Sequence, residues 1–132
     1  MSQENVEIAR HSLEAFGRRD IETMRRLNDP GLELDWSASI GVDAQVYRGF
    51  DAALGFYRAY FDAFDEIVFD EMHFIDAGDS VVVPNISRSR GRGGVEVFAR
   101  STLVFTLDAG KIIRICLYQD TDQALKAVGL AE

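Results

Sequence analysis

Apolar residues at Val6, Ala9, Leu13 and Phe16 recur three and four positions apart, which predicts a helix with one apolar stripe. Ser2 is placed to cap it, Glu4 suits the positive end of its dipole, and Gly17 offers a stop. Asp20 then caps a short second helix carrying Ile21, Met24 and Leu27, which Asn28-Asp29-Pro30-Gly31 breaks. From Leu32 to Trp36 the period changes to two. Leu32, Leu34 and Trp36 share one face and Glu33 and Asp35 the other, as in a half-buried strand. The small, polar run from Ser37 to Gln45 reads as a loop. Phe50 to Phe64 has helical length, with Leu54, Tyr57, Tyr60, Phe61 and Phe64 crowded on one side.

Beyond Glu66 the pattern is of strands. Ile67 to Ile75 is irregular enough to hold a bulge. Ser80 to Arg90, Val95 to Leu107 and Lys111 to Gln119 are clearer. Their separators, Asp76-Ala77-Gly78-Asp79, Gly91-Arg92-Gly93-Gly94 and Asp108-Ala109-Gly110-Lys111, carry the residues that hairpins require. Asp120-Thr121-Asp122-Gln123 has the form of a capping box for a last helix ending near Gly129. Helices first and a curved sheet after them enclose a pocket, with the Ser37–Gln45 loop over its mouth.

The 132 residues suit one domain over 1–132, and 47% hydrophobic with 27% charged residues is an ordinary globular balance. The net charge of -8 disfavours nucleic acid and anionic membranes as partners. Arg88, Arg90, Arg92 and Arg100 around the Gly91–Gly94 turn read as a solvated or interface-facing stripe. Cys116 is the only cysteine, so no intrachain disulfide forms. With no basic-then-apolar leader and no run long enough to span a bilayer, the expected location is cytoplasmic. Two separated histidines, His11 and His73, make no zinc set with that cysteine, and the acids lack calcium-loop spacing, so no metal and no cofactor are expected.

The helices-first order, the Tyr47-Arg48-Gly49 corner, the Asp76–Asp79 turn and the closing Gly110-Lys111-Ile112-Ile113-Arg114 strand together resemble the SnoaL-like branch of the nuclear-transport-factor-2-like superfamily. The resemblance implies an α+β cone: a strongly curved antiparallel sheet wrapped around N-terminal helices, with an apolar pocket at the wide end. It also implies a homodimer and a choice among polyketide cyclase, ketosteroid isomerase, epoxide hydrolase and dehydratase chemistries, which fold analogy leaves open.

Ketosteroid isomerase-like members carry a carboxylate base where this chain has Trp36, and a protonated acid where it has Leu103. Tyr57 matches a tyrosine of their hydrogen-bond network. An epoxide hydrolase-like set needs an Arg between two acids in the pocket. Alternation sends Arg100 to the outer face, and Asp120 reads as a helix cap. A cyclase-like base is available in Asp35 if a one-residue bulge turns it inward. The candidate catalytic residues are therefore Tyr57 and Asp35. The candidate pocket set is Phe16, Trp36, Tyr47, Tyr57, Phe61, Leu103, Phe105 and Gln119, against the alternative that these fill the core. Gln119 is aimed inward by the alternation from Ile113 through Ile115 and Leu117, and its amide needs a partner there. Val104, Ile86, Cys116 and Tyr118 lie on the opposite, also apolar, face, which a second copy of the chain would cover. The function read from these residues is binding of a compact, mostly apolar small molecule. Cofactor-independent isomerisation, cyclisation or hydration is one outcome, and a non-catalytic ligand-binding or dimerisation module is the other.

Overall fold

A computed structural model describes residues 2–41 and 43–130. Two helices, α1 (Ser2–Arg18) and α2 (Ile21–Leu27), lead into β1 (Asn28–Asp35) and β2 (Val46–Arg48). Then come α3 (Phe50–Ala63), β3 (Phe64–Met72), β4 (Ile75–Ala77), β5 (Ser80–Gly91), β6 (Glu96–Asp108), β7 (Lys111–Tyr118) and α4 (Thr121–Ala127). The expected α+β order is present. One seven-stranded sheet runs β2-β1-β7-β6-β5-β3, with β4 also on β5. Its pairs are antiparallel except β1 with β7, which is parallel.

The second helix is capped as its sequence predicts, Asp20 accepting from the Thr23 amide at 3.2 Å. The side chain of Ser2, the expected cap of α1, lies outside the described residues, as do Val42 of the Ser37–Gln45 loop and the side chain of Arg92. Gly17 does not end α1. The helix continues to Arg18, and Arg19 takes the left-handed turn at φ 59. Its guanidinium donates to the carbonyls of Phe61, Phe64 and Asp65 and lies over the Phe61 ring, tying the end of α1 to the end of α3. Those contacts offset the cost of a side chain in the left-handed region, about 1–2 kcal/mol. The irregular stretch after α3 is two strands, β3 and β4, and the register of β3 on β5 slips between Phe69 and Glu71. At Gly49, φ is 90, a corner that favours glycine, and its amide donates to Leu32 O at 2.7 Å.

The main core lies on the concave side of the sheet. Val6, Ala9 and Leu13 of α1 and Phe50, Leu54 and Phe61 of α3 meet Leu34, Val83, Phe105 and Ile115 there. The convex face carries a second, smaller cluster: Val82 and Val104 under Ala124 of α4, flanked by Tyr118, Leu125 and Val128. This part of the outer face is covered by the chain's own last helix. The cover forms because β7 ends at Tyr118 and the Asp120 cap turns the chain back across the sheet.

Candidate functional site

Between the helices and the concave face is a cavity of about 400 Å³. Its apolar floor comes from alternate residues of neighbouring strands: Leu34 on β1, Ile115 and Leu117 on β7, and Leu103 and Phe105 on β6. Its wall is aromatic. Phe16 of α1 meets Tyr57 of α3 edge-on at 5.5 Å between ring centres, and Trp36 packs against Phe56 at 5.3 Å. These contacts hold the rings at the sides, so the space between helices and sheet is open rather than filled.

Polar side chains in this lining include Ser12, Tyr57, Tyr60, Asn85, Ser87 and Ser101. Tyr57 is buried, and its hydroxyl makes no hydrogen bond among the described residues. Burial alone pushes its phenol well above the ordinary value, so it stays protonated. The Tyr60 phenol is also raised, first by burial, with the charge of Asp43 adding to it and a bond to Ser89 opposing it. Asn85 is 5% exposed and its amide donates to Val83 O at 3.1 Å.

The strap from Ser37 to Gln45 crosses the mouth, where Ser39, Ile40 and Asp43 border the cavity. Gln119 Nε2 donates to Ala38 O at 2.8 Å, and Tyr47 OH donates to Asp43 O at 3.1 Å. Ser39 Oγ donates to Asp43 Oδ1 at 3.1 Å. The strap is thereby tied to β7 and to β2. Asp43 is the one carboxylate among the described lining residues.

Of the residues singled out in the sequence, Phe16, Trp36, Tyr57, Leu103, Phe105 and Gln119 come together around this cavity. Gln119 is exposed, and its partner is the strap carbonyl. Tyr47 and Phe61 stand outside the lining. Tyr47 stacks on Phe56 at 4.9 Å and braces the strap, while Phe61 is packed behind Phe16 at 5.1 Å. Asp35 is not turned inward. The bulge that this required is absent at Leu34–Asp35, where β1 pairs in register with β7. Its carboxylate accepts from Arg114 Nη2 at 3.0 Å and from the Ser37 amide at 3.0 Å. Desolvation works to raise its pKa, but the Ser37 bonds and the Arg114 charge outweigh this and hold it below the usual carboxylate range. Asp120 caps α4, accepting from Gln123 N at 2.8 Å.

Arg100 keeps the outer-face register expected of it, paired with Ile86 on the face that carries Val82 and Val104, while its strand runs along the cavity mouth. Phe98, Ala99, Arg100 and Ser101 of β6 all border the mouth, although β6 stays in unbroken register with β5 through them. Sequence reading missed Asn85 and Ser87, although the inward alternation Val81, Val83, Asn85, Ser87 carried the signal. For Asp43, in an aperiodic loop, no such signal exists. Among the described residues no three His, Cys, Asp or Glu side chains converge as metal ligands, and no helix is long and apolar enough to cross a membrane.

The architecture is shared with solved structures. A nuclear-transport-factor-2-like protein of unknown function from Burkholderia pseudomallei is 22% identical, covers 98% of this chain and 99% of its own, and has a TM-score of 0.77. A structure assigned as a candidate polyketide cyclase from Xanthomonas campestris is 16% identical over 97% of this chain and 98% of its own, with a TM-score of 0.76. TerC, co-crystallised with polyporic acid, is 21% identical over 95% and 98%, with a TM-score of 0.74. At such identities the likeness is one of fold. No functionally curated protein matches the sequence. The SnoaL-like domain, however, matches directly over residues 9–115, from the first helix to the last strand of the cup, and the chain belongs to that family.

Proposed function

We propose that the cavity binds a compact, mostly apolar small molecule bearing one or two polar groups, with Tyr57 donating a hydrogen bond to one of its oxygens. The Tyr57 phenol carries this reading: it is buried, it borders the cavity, and it has no protein partner among the described residues. Its oxygen is not among the sealed, partnerless atoms of the described residues and so is open to the cavity, where one hydrogen bond to a ligand oxygen is worth about 0.5–1.5 kcal/mol. The co-crystal of TerC with polyporic acid supports small-molecule binding by this fold.

The reaction class that fits is cofactor-independent isomerisation, cyclisation or hydration. In it Tyr57 stabilises charge on an oxygen and Asp43, rather than Asp35, moves the proton. A second reading, a binding module without turnover, is favoured by one observation: the sole carboxylate among the described lining residues is already engaged by Ser39 on the strap. We also propose a homodimer through the part of the outer sheet face that α4 leaves open, where Phe98 is 62% exposed. Sedimentation showing only a monomer at micromolar concentration removes the dimer.

Trp36 is the only tryptophan and borders the cavity, so its emission reports occupancy. Titration with 2-naphthol should quench it, and Ser87→Phe, which projects a ring into the space, should abolish the quenching. Quenching that is absent in the parent protein, or unchanged by Ser87→Phe, overturns the binding reading.

A further inference from the structure

We infer that Asn85 sets the specificity of the cavity: its Oδ1 receives a hydrogen-bond donor of the ligand, so the molecule that fits carries a hydroxyl or N–H as well as the oxygen met by Tyr57. The inference deepens the reading of the cavity as a small-molecule site and rests on it. Asn85 borders the cavity and is 5% exposed. The backbone fixes its amide orientation. Val83 O can only accept, so the atom 3.1 Å from it is Nδ2, and Oδ1 points away from that carbonyl. Oδ1 accepts no hydrogen bond among the described residues. It is not sealed off either, since Asn28 Oδ1 is the one side-chain atom among them that is both sealed and partnerless. On a residue this buried in a cavity wall, the opening is the cavity itself.

Strand register places this side chain independently. β5 and β6 pair without a slip from Ser80 and Thr106 to Arg90 and Glu96. Val82 and Val104 are partners on the outer face, under α4, so Val83 and Leu103 are partners on the inner one. Two residues further on, Asn85 and Ser101 are partners on that same inner face. Leu103, Ser101 and Ser87 border the cavity with Asn85. On β3 the partner of Asn85 is Met72, whose side chain has no hydrogen to donate. The wall thus offers two polar contacts of opposite sense: Tyr57 gives a hydrogen, and Asn85 Oδ1 takes one. A ligand that answers both holds an acceptor and a donor. A molecule with acceptors alone displaces water from the amide oxygen and leaves it without a partner.

The probes are 6-methoxy-2-naphthol, which has one hydroxyl hydrogen, and 2,6-dimethoxynaphthalene, which has none, titrated by calorimetry with Trp36 quenching as the check on location. A wall without an acceptor favours the ether, because burying a hydroxyl with no partner costs free energy. The full chain should instead bind the naphthol about three- to ten-fold more tightly, the worth of one hydrogen bond. Asn85→Leu, similarly branched and without an acceptor, should reverse that order while the ether still quenches Trp36. Should this variant not fold, Asn85→Ala makes the same comparison. An ether bound as tightly as the naphthol by the parent protein, or a naphthol preference that survives the loss of Asn85, overturns the assignment while quenching upholds the cavity. If neither probe quenches Trp36, the cavity reading falls and the role of Asn85 falls with it.

Discussion

The carboxylate of Asp35 lies 3.0 Å from the guanidinium of Arg114, on the face of the sheet away from the cavity. Arg114 also holds Glu33 at 3.0 Å, and Glu33 holds Arg48 at 2.8 Å, so Asp35 is one end of a charge network laid across β1, β2 and β7. Its role in this geometry is structural. The folded state lowers its pKa, so its contribution is fully present above the ordinary value of 3.8 and disappears as the pH falls through the folded-state value. Asp35→Asn should lose about 1 kcal/mol of stability at neutral pH. Urea denaturation should show the variant and the parent converging in acid, below the ordinary carboxylate value, with ligand binding alike in both. A variant as stable as the parent at neutral pH contradicts this assignment.

Tyr57→Phe should behave in the opposite way. The hydroxyl has no protein partner to lose, so stability should stay within about 0.5 kcal/mol of the parent. Affinity for 2-naphthol should fall about three- to ten-fold, the worth of one hydrogen bond. Because burial raises the phenol, no pH dependence from Tyr57 should appear near neutrality. A large drop in melting temperature with unchanged affinity would mean that the phenol serves the core instead.

Arg19 joins two helix ends from a left-handed backbone. Arg19→Ala keeps the strained conformation and loses the three carbonyl contacts, and it should destabilise by about 1–3 kcal/mol. Arg19→Gly loses the same contacts but relieves the strain, so it should cost less than alanine. Thermal melts that rank the two variants the other way would show that the backbone at this corner is not what the guanidinium offsets.

Asp120→Ala removes the α4 cap and should cost about 1 kcal/mol, typical of such a loss. Loosening α4 would also expose Val82 and Val104. Binding of 2-naphthol should persist. A variant with parental stability and lost binding would instead place this acid in the site.

Local periodicity made the helices and strands legible. The stripe of α1, the aromatic side of α3, the alternation of β1 and the glycine-bearing turns each depend on neighbours a few residues away, and each appears where its spacing puts it. Six of the eight candidate pocket residues border the cavity, Trp36, Leu103, Phe105 and Gln119 through strand alternation and Phe16 and Tyr57 through helical spacing. The misses have a common cause. Gly17 against Arg19 depended on carbonyls of α3 that lie more than forty positions downstream. Phe61 was one helical position too deep, and Tyr47 supports the strap from behind.

The sequence by itself determined the order of elements, the inward faces and the family to which the chain belongs, because these rest on spacing and pattern. Tertiary structure alone decided which charges meet the cavity. Asp35 and Asp43 are eight positions apart, and nothing local tells them apart. Pairing of β1 with β7 puts Asp35 beside Arg114, and the bridge from Gln119 to Ala38 pulls the strap that carries Asp43 over the mouth. Long-range strand pairing thus selects among similar carboxylates, and no window along the chain contains that information.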